Sequence, residues 1–187
     1  RALRIPVGII SSAYGGATVE GWISRELLEN YPDISLNPDS IERLHPMHRP
    51  MLMYNAMLKP LQNYTIKGFI WYQGESNVGR HETYAERLAD MVQLWRKEWG
   101  LGELPFYFAE IAPYAYGGTQ QEKAAYLREA QFRAQSQIPN SAMISTNDLV
   151  EPYEIYNIHP RNKRKVGQRL SLSLIHISEP TRRRGIS

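Results

Sequence analysis

The sequence contains no cysteine among its 187 residues, which excludes a disulfide framework and thiolate chemistry. It has no apolar run long enough to cross a bilayer, so we expect no membrane-spanning segment. Neither the Walker spacing nor Gly-x-Gly-x-x-Gly occurs, which disfavours a nucleotide-binding protein. His45 and His48 are separated by Pro46 and lack an evident third ligand, so no metal site is predicted. What remains is an ordinary globular composition, with 42% hydrophobic residues, that predicts one domain.

The net charge of +3 could indicate a nucleic-acid partner. Most of this excess lies after Ser173, where three consecutive arginines, 182–184, are balanced by a single acidic residue, Glu179. The rest of the chain is close to neutral. A basic stripe that could follow a phosphate backbone is therefore not indicated, and we expect no nucleic-acid partner.

The most informative stretch is an apolar run, 66–72, that leads directly into polar residues. Its β-branched and aromatic residues predict a buried strand. Gln73, Glu75 and Asn77 follow immediately, at the position where open α/β sheets carry their chemistry. An alternative is that these polar groups only satisfy the backbone of a loop.

Strand and helix patterns alternate along the rest of the chain. The helix 82–99 has the strongest pattern, with Thr83 and Glu86 spaced as a capping box and Gly100 as its end. Alternation of this kind predicts a parallel sheet with helices on both faces. The predicted strands are 5–12, 66–72, 105–111 and 141–146, and the predicted helices are 19–29, 51–61, 82–99, 122–137 and one from about 162.

Paired glycines, Gly15 and Gly16, follow the first predicted strand. Glycines at such a turn leave backbone N–H groups open, and these could bind an anion or a developing oxyanion. The same pair is also compatible with a plain connection between a strand and a helix.

A histidine, His159, lies in the predicted loop between the last strand and the last helix. At this edge of the sheet it could act as a general base, although it could also only cap the following helix. Glu75, Asp148 and Glu154 are candidate carboxylates that would orient it, as a hydrolase triad requires.

Together these segments resemble the sialate O-acetylesterase group of the SGNH hydrolases, which also includes some acetylxylan esterases. The resemblance runs in family order over nearly all of residues 5–170, and its most specific string is Trp-Tyr-Gln-Gly-Glu-Ser-Asn at 71–77. The other matching segments are Pro-Val-Gly-Ile-Ile at 6–10, Tyr-Gly-Gly at 14–16, Glu-Gly-Trp at 20–22, Tyr-Asn-Ala-Met at 54–57, Asn-Ile-His-Pro-Arg-Asn-Lys at 157–163 and Val-Gly-Gln-Arg-Leu at 166–170.

The resemblance implies a flavodoxin-like α/β/α fold and a serine esterase that removes O-acetyl groups from sugars without a metal or cofactor. His159 would be the base, and Glu75 the triad acid or a residue that supports the site. The Gly16 N–H would donate to the oxyanion, and Gln73 and Asn77 would bind the oxyanion or the substrate. The resemblance also implies a secreted, periplasmic or lysosomal protein whose signal segment would lie upstream of residue 1.

The nucleophile departs from the family pattern. The family places it in a Gly-Gln-Ser-Asn segment before the stretch at which this sequence begins, and these residues contain no such string. We therefore expect a fragment that lacks the first strand and the nucleophile, and that is itself inactive. Ser11, Ser12 and Ser76 are the nearest serines, and we favour none of them.

Two further departures concern the acid and the end of the chain. Tyr156 stands where many SGNH enzymes have an aspartate, three residues before the histidine, so the acid must come from elsewhere. Glu75 is the first choice for it. Residues 173–187 resemble translated sequencing adapter rather than the family's last helix. We therefore expect a partial SGNH domain at 1–172 and a tail at 173–187 that is not native.

A second hypothesis is a carbohydrate-binding domain without catalytic activity on the same scaffold. Aromatic rings near the predicted sheet edge could stack on sugars in either case. The candidates are Tyr14, Trp71, Tyr72 and the tyrosine-rich loop 114–116.

Overall fold

The computed structural model describes residues 6–118 and 120–178, with side chains as far as Ser173. At its centre is a parallel sheet of three strands in the order β1-β2-β3. In register, Phe69 of β1 pairs with Phe106 of β2, which pairs with Ser141 of β3. The strands are β1 (Phe69–Tyr72), β2 (Phe106–Ala109) and β3 (Ser141–Ile144).

Within the described residues, five α-helices surround the sheet, together with short 3₁₀ turns and one π-helical turn. Two of the helices are short and precede β1, and the three long ones follow the strands. The helices are α1 (Arg25–Leu28), α2 (Pro38–Glu42), α3 (Tyr84–Trp99), α4 (Gln120–Gln137) and α5 (Lys163–Ser178). The 3₁₀ turns are Val19–Trp22, Pro46–His48, Lys59–Leu61, Glu75–Arg80 and Pro152–Glu154, and the π-helical turn is Tyr54–Leu58.

The two faces of the sheet are covered by different helices, which confirms the three-layer α/β/α arrangement. Phe106 and Phe108 of β2 point into the main core with Trp71 of β1, on the side of α3 and α4. Tyr107 lies on the opposite face of β2, where α5 contributes Val166. Side chains alternate between the faces because successive residues of a strand point in opposite directions.

The aromatic residues of α3 bear out the helical spacing seen in the sequence. Trp95 and Trp99 are buried in the main core, and the Trp95 ring centroid lies 5.5 Å from that of Trp71. Gly100 ends the helix in the left-handed conformation, with φ of 63°, as predicted. The prediction of a capping box is wrong. Thr83 is the N-cap residue of α3, but its side chain makes no capping hydrogen bond.

The first predicted strand, 5–12, is also wrong. Residues 6–12 form no strand, and Ile9 is 91% exposed. The apolar and β-branched pattern expresses only a propensity, whereas a strand needs a neighbour to receive its backbone hydrogen bonds. Within the described ranges no strand pairs with this segment. Ile5 itself lies outside the described residues.

Two predicted helices are interrupted. The helix predicted over 19–29 is a 3₁₀ turn, Val19–Trp22, followed by α1, because Ser24 starts a new helix by accepting from the Leu27 N–H. In the helix predicted over 51–61, a π-helical turn gives way to a 3₁₀ turn that contains Pro60. Proline lacks the N–H that would continue the regular helix.

The last helix, α5, begins at Lys163, as the sequence predicted, and continues to Ser178. The boundary expected between residues 172 and 173 therefore falls inside a helix. That residues 173–187 are not native remains a prediction, and 179–187 lie outside the described residues. Across 6–118 and 120–178, no helix has the length and apolarity needed to cross a membrane.

Candidate active site

The loop after β1 turns sharply at Gly74. Its φ is 153°, and a Cβ there would lie 2.6 Å from the Ile111 Cγ2 and 3.0 Å from the Gln131 Nε2. Only glycine fits so close to neighbouring atoms. Gln131 fastens the turn, because its Nε2 donates to the Gln73 carbonyl at 3.0 Å while its Oε1 accepts from the Ile111 N–H. Gln73 and Glu75 therefore have fixed positions at the carboxyl edge of the sheet.

The Gln73 side chain belongs to an internal hydrogen-bond network. Its Nε2 donates to the Ala17 carbonyl at 2.9 Å and to the Asn77 Oδ1 at 2.7 Å. Its Oε1 accepts from the Tyr84 hydroxyl at 2.9 Å. These contacts join the loop after β1 to the segment after Gly16 and to α3.

Asn77 continues the same network and is 1% exposed. Its Oδ1 also accepts from the Val19 N–H at 3.0 Å, and its Nδ2 donates to the Glu20 Oε2 at 3.2 Å. A direct role for Gln73 and Asn77 in binding an oxyanion or substrate remains a prediction. Their observed contacts are structural and hold residues 17–20 beside the loop.

Gly16 lies next to this loop in an exposed turn. Its φ of 74° favours glycine, and a Cβ there would lie 2.4 Å from the Met47 Sδ. The Ser76 hydroxyl donates to the Gly16 carbonyl at 2.7 Å, which brings the glycine turn onto the loop after β1. The Gly16 N–H makes no hydrogen bond with any described residue, so it is free to donate to an incoming oxygen.

Glu75 lies in the 3₁₀ turn after β1, and His159 lies four residues before the start of α5. Burial raises the pKa of the half-buried Glu75, and the charges of Lys163 and His159 offset part of this rise. His159 is exposed, and its backbone N–H donates to the Asn157 Oδ1 at 2.9 Å. No hydrogen bond joins Glu75 to His159 in the described part of the chain. Hydrogen bonds between catalytic groups are often long in the absence of substrate and shorten only when substrate binds.

The other two candidate acids have different partners. Asp148 is exposed and accepts two hydrogen bonds from Arg169, at 2.6 and 2.5 Å, which hold its pKa at about 2. Glu154 is buried and accepts from the Arg161 N–H at 3.3 Å, so it shapes the loop that carries His159. Asp148 and Glu154 are thus both engaged by arginines, Arg169 and Arg161 respectively.

The candidate serines have structural contacts. Ser12 donates to the Met57 carbonyl at 3.2 Å, and Ser76 donates to Gly16. Ser11 is exposed in the segment before the glycine turn. Within the described residues none of the three hydrogen-bonds to His159, as an activated nucleophile would.

The sequence analysis missed a carboxylate, Glu110, that follows β2. It is buried and accepts from the Ser145 hydroxyl at 2.5 Å and from the Thr146 N–H at 2.9 Å. Burial, followed by the charges of Glu75 and Glu110, raises the pKa of Tyr72 to about 12. The rule that selected Glu75, a carboxylate just past a strand, did not find Glu110 because the predicted strand ran to residue 111, whereas β2 ends at Ala109.

A buried ion pair behind the site was also missed. Arg87 of α3 donates to the Glu20 Oε1 at 2.6 Å, and both side chains are buried. Arg87 lies among the core positions of α3, where its charge gave no sequence signal that it faces inward. No cluster of metal-binding side chains occurs in the ranges that the structure describes.

A family model described as carbohydrate esterase, sialic acid-specific acetylesterase, matches residues 2–176. The mouse sialate O-acetylesterase is 28% identical over 91% of this chain, and the human sialate O-acetylesterase is 27% identical over 91%. The chain spans only 39% of the mouse protein and 35% of the human protein.

Solved structures agree with the fold. The crystal structure of a carbohydrate acetylesterase from Xanthomonas citri has a TM-score of 0.78 and 36% identity, covering 94% of this chain and 38% of that one. An Arabidopsis thaliana protein, with a TM-score of 0.52 and 24% identity, covers 68% of this chain and 52% of its own, and supports the fold alone. The SGNH-like fold is thereby confirmed. Because the family model covers nearly the whole sequence, the chain belongs to the carbohydrate esterase family of sialic acid-specific acetylesterases.

Proposed function

We propose that this chain is part of a carbohydrate O-acetylesterase that hydrolyses acetyl esters on sugars, with an O-acetylated sialic acid as its substrate. The observation that carries the proposal is the match of the family model to residues 2–176, which include Glu75 in the turn after β1 and His159 in the segment before α5. Relatives named sialate O-acetylesterase support the choice of substrate.

In the proposed mechanism, His159 takes the proton of a serine hydroxyl as the serine attacks the acetyl carbonyl. Glu75 orients the imidazole and stabilises the imidazolium that forms. The developing oxyanion accepts from the Gly16 N–H, whose turn is fixed by Ser76. His159 then returns the proton to the sugar oxygen, and water releases acetate from the acyl-enzyme by the same path in reverse.

Gln73 and Asn77 act in this proposal by positioning the oxyanion turn. Their amides hold Ala17 and Val19, which follow Gly16 by one and three residues. Preorganised donors are effective because they need not reorganise as charge develops. Loss of either amide would therefore weaken oxyanion binding without removing a group that touches the substrate.

We further propose that the nucleophilic serine is not among these 187 residues. Ser12 and Ser76 donate to backbone carbonyls, and neither contacts His159 in the described structure. A folded sample of this polypeptide should then bind the acetylated sugar without releasing acetate.

The test combines fluorophosphonate labelling, located by mass spectrometry, with binding and hydrolysis of 9-O-acetylated sialic acid. We expect no specific label, no acetate release, and tighter binding of the acetylated than of the deacetylated sugar. A specific label on Ser11, Ser12 or Ser76 that is lost in His159→Gln would support the esterase function. It would contradict the proposal that the nucleophile is absent from these residues. Equal affinity for both sugars, with unlabelled serines, would contradict the esterase.

That last outcome would favour a carbohydrate-binding domain without catalysis. The aromatic residues proposed for such binding differ in whether their rings are accessible to a sugar. Trp71 is buried in the core between Trp22 and Trp95, so it cannot stack on a sugar. Tyr114 and Tyr116 lie near each other with ring centroids 4.8 Å apart, and are the better test positions.

A further inference from the structure

A lysine connects the two loops of the candidate site. Lys163 is the first residue of α5 and follows His159 by four positions. Its Nζ lies 4.8 Å from the centroid of the Tyr72 ring. Tyr72 ends β1 and precedes Glu75 by three residues. The cation–π contact therefore joins the helix after the proposed base to the strand before the proposed acid.

The same ammonium group interacts electrostatically with two carboxylates, one from each loop. Burial lowers the pKa of Lys163, and the charges of Glu75 and Glu154 counteract this. On Glu75, burial is opposed by the charges of Lys163 and His159. Burial raises the pKa of Tyr72 and of Tyr116, and the charge of Glu75 adds to both rises. The titratable groups that interact with the charge of Glu75 are thus Lys163, His159 and three tyrosines, Tyr72, Tyr84 and Tyr116.

The helix itself gives no reason for a cation at this position. The first turn of α5 contains no acidic residue, and its sequence begins Lys-Arg-Lys. The positive end of a helix dipole disfavours such charges. The placement of Lys163 is better explained by its contacts with the two loops than by any stabilisation of α5.

We propose that Lys163 is a positioning residue: held on the ring of Tyr72, it keeps Glu75 charged and the His159 loop against the loop after β1. This inference rests on the proposed function of Glu75 as the partner of His159. Glu75 must carry its charge at neutral pH to stabilise an imidazolium, and its burial works against that charge. Lys163 supplies an opposing charge before any substrate arrives.

The test is a carbon-13 NMR titration of the Glu75 carboxyl in the whole chain, assigned with Glu75→Gln. We expect Lys163→Met to raise the pKa of Glu75 and Lys163→Arg to leave it close to the original value. Lys165→Met is the matched control, because the charge of Lys165 acts on Asp148 instead. Tyr72→Leu should reproduce part of the rise, since the ring no longer holds the ammonium group in place.

An unchanged Glu75 pKa in Lys163→Met, or the same rise in Lys165→Met, would overturn the inference. If Lys163→Met does not fold, the other two variants decide. An unchanged Glu75 pKa in Tyr72→Leu would overturn the inference. So would a Glu75 pKa that rises in Lys163→Arg as much as it does in Tyr72→Leu. The proposed function is tested separately, by the sugar-binding and labelling experiments. A chain that shows the Lys163 effect but does not prefer the acetylated sugar would contradict the esterase alone.

Discussion

Arg87 donates to Glu20 across 2.6 Å, and both side chains are buried. The second terminal nitrogen of Arg87 donates to Asp33, and Glu20 accepts from Asn77. One guanidinium group thereby ties α3 to the segment that follows Gly16 and, through Asn77, to the loop that carries Glu75. The geometry of the candidate site therefore depends on an ion pair that lies behind it.

Replacing Arg87 by Met should destabilise the fold strongly. The substitution would leave the Glu20 carboxylate buried without its closest cation, and breaking a buried pair typically costs about 3–5 kcal/mol. Urea unfolding followed by tryptophan fluorescence measures the loss. Arg169→Met is the control, because it removes an arginine from the exposed pair with Asp148 and should barely move the midpoint. Equal losses in the two variants would contradict the role assigned to Arg87.

The Glu20 network also predicts how stability depends on pH. Burial acts to raise the pKa of Glu20, but the charges of Arg80 and Arg87 and its hydrogen bonds lower it below 4.5. A carboxyl whose pKa is lower in the folded state contributes stability that is complete above the unfolded value. That contribution is lost as the pH falls through the folded value.

Urea midpoints measured between pH 7 and pH 3 should therefore fall below about pH 4.5. The decrease should be smaller in Glu20→Gln, although that variant starts from a lower stability. Asp33, whose pKa is lowered mainly by its hydrogen bond to Arg87, adds to the decrease in both proteins. Parallel pH profiles for the two proteins would show that Glu20 is not responsible.

Glu75 should have the opposite effect on stability. Its pKa is raised, chiefly by burial, so the folded state disfavours the charged form. The penalty is present at neutral pH and disappears as the pH falls through the raised folded value and then the unfolded value of 4.5. Glu75→Gln should therefore be more stable than the original chain at pH 7, with the difference shrinking at pH 4.

Chemical unfolding of both proteins at the two pH values tests this, with Glu151→Gln as an exposed control. A stabilising substitution at Glu75 would indicate a residue retained for chemistry rather than for folding. A loss of stability at pH 7 would instead indicate that the Glu75 carboxylate holds the loop together.

The local pattern of apolar and β-branched residues correctly predicted the three strands that pair with a neighbour. It wrongly predicted a strand at 5–12, for which the described residues provide no neighbour. The run at 106–109 and the run at 7–10 are both apolar, yet only the first lies between two other strands. Whether a segment pairs depends on residues far away in the sequence, which no local pattern contains. The helix α3 was predictable because its own Trp95 and Trp99 repeat at helical spacing.

For the site, sequence reasoning could assign residues to one edge of the sheet but could not assign their contacts. Glu75 and His159 both follow predicted strands, and the rule for carboxyl ends of parallel strands brings them to one edge. The hydrogen-bond partners of Asn77 could not be predicted, because they lie far away in the sequence. Its bond with Val19 spans 58 residues, and its bond with Glu20 spans 57. An amide in a loop looks equally suited to binding substrate or backbone, and only packing decides between them.

The exposed side of β1 predicts self-association. Ile70 is 67% exposed on the face that α5 covers over β2 and β3, and β1 is an edge strand of the described sheet. Exposed apolar edges pair readily with other chains, and a lysine there prevents it. Ile70→Lys should lower the aggregated fraction in sedimentation velocity runs at rising concentration, while stability changes by less than about 0.5 kcal/mol. Leu101→Lys, at an exposed position away from the sheet, controls for added charge. If both variants reduced association equally, net charge rather than the strand edge would be the cause.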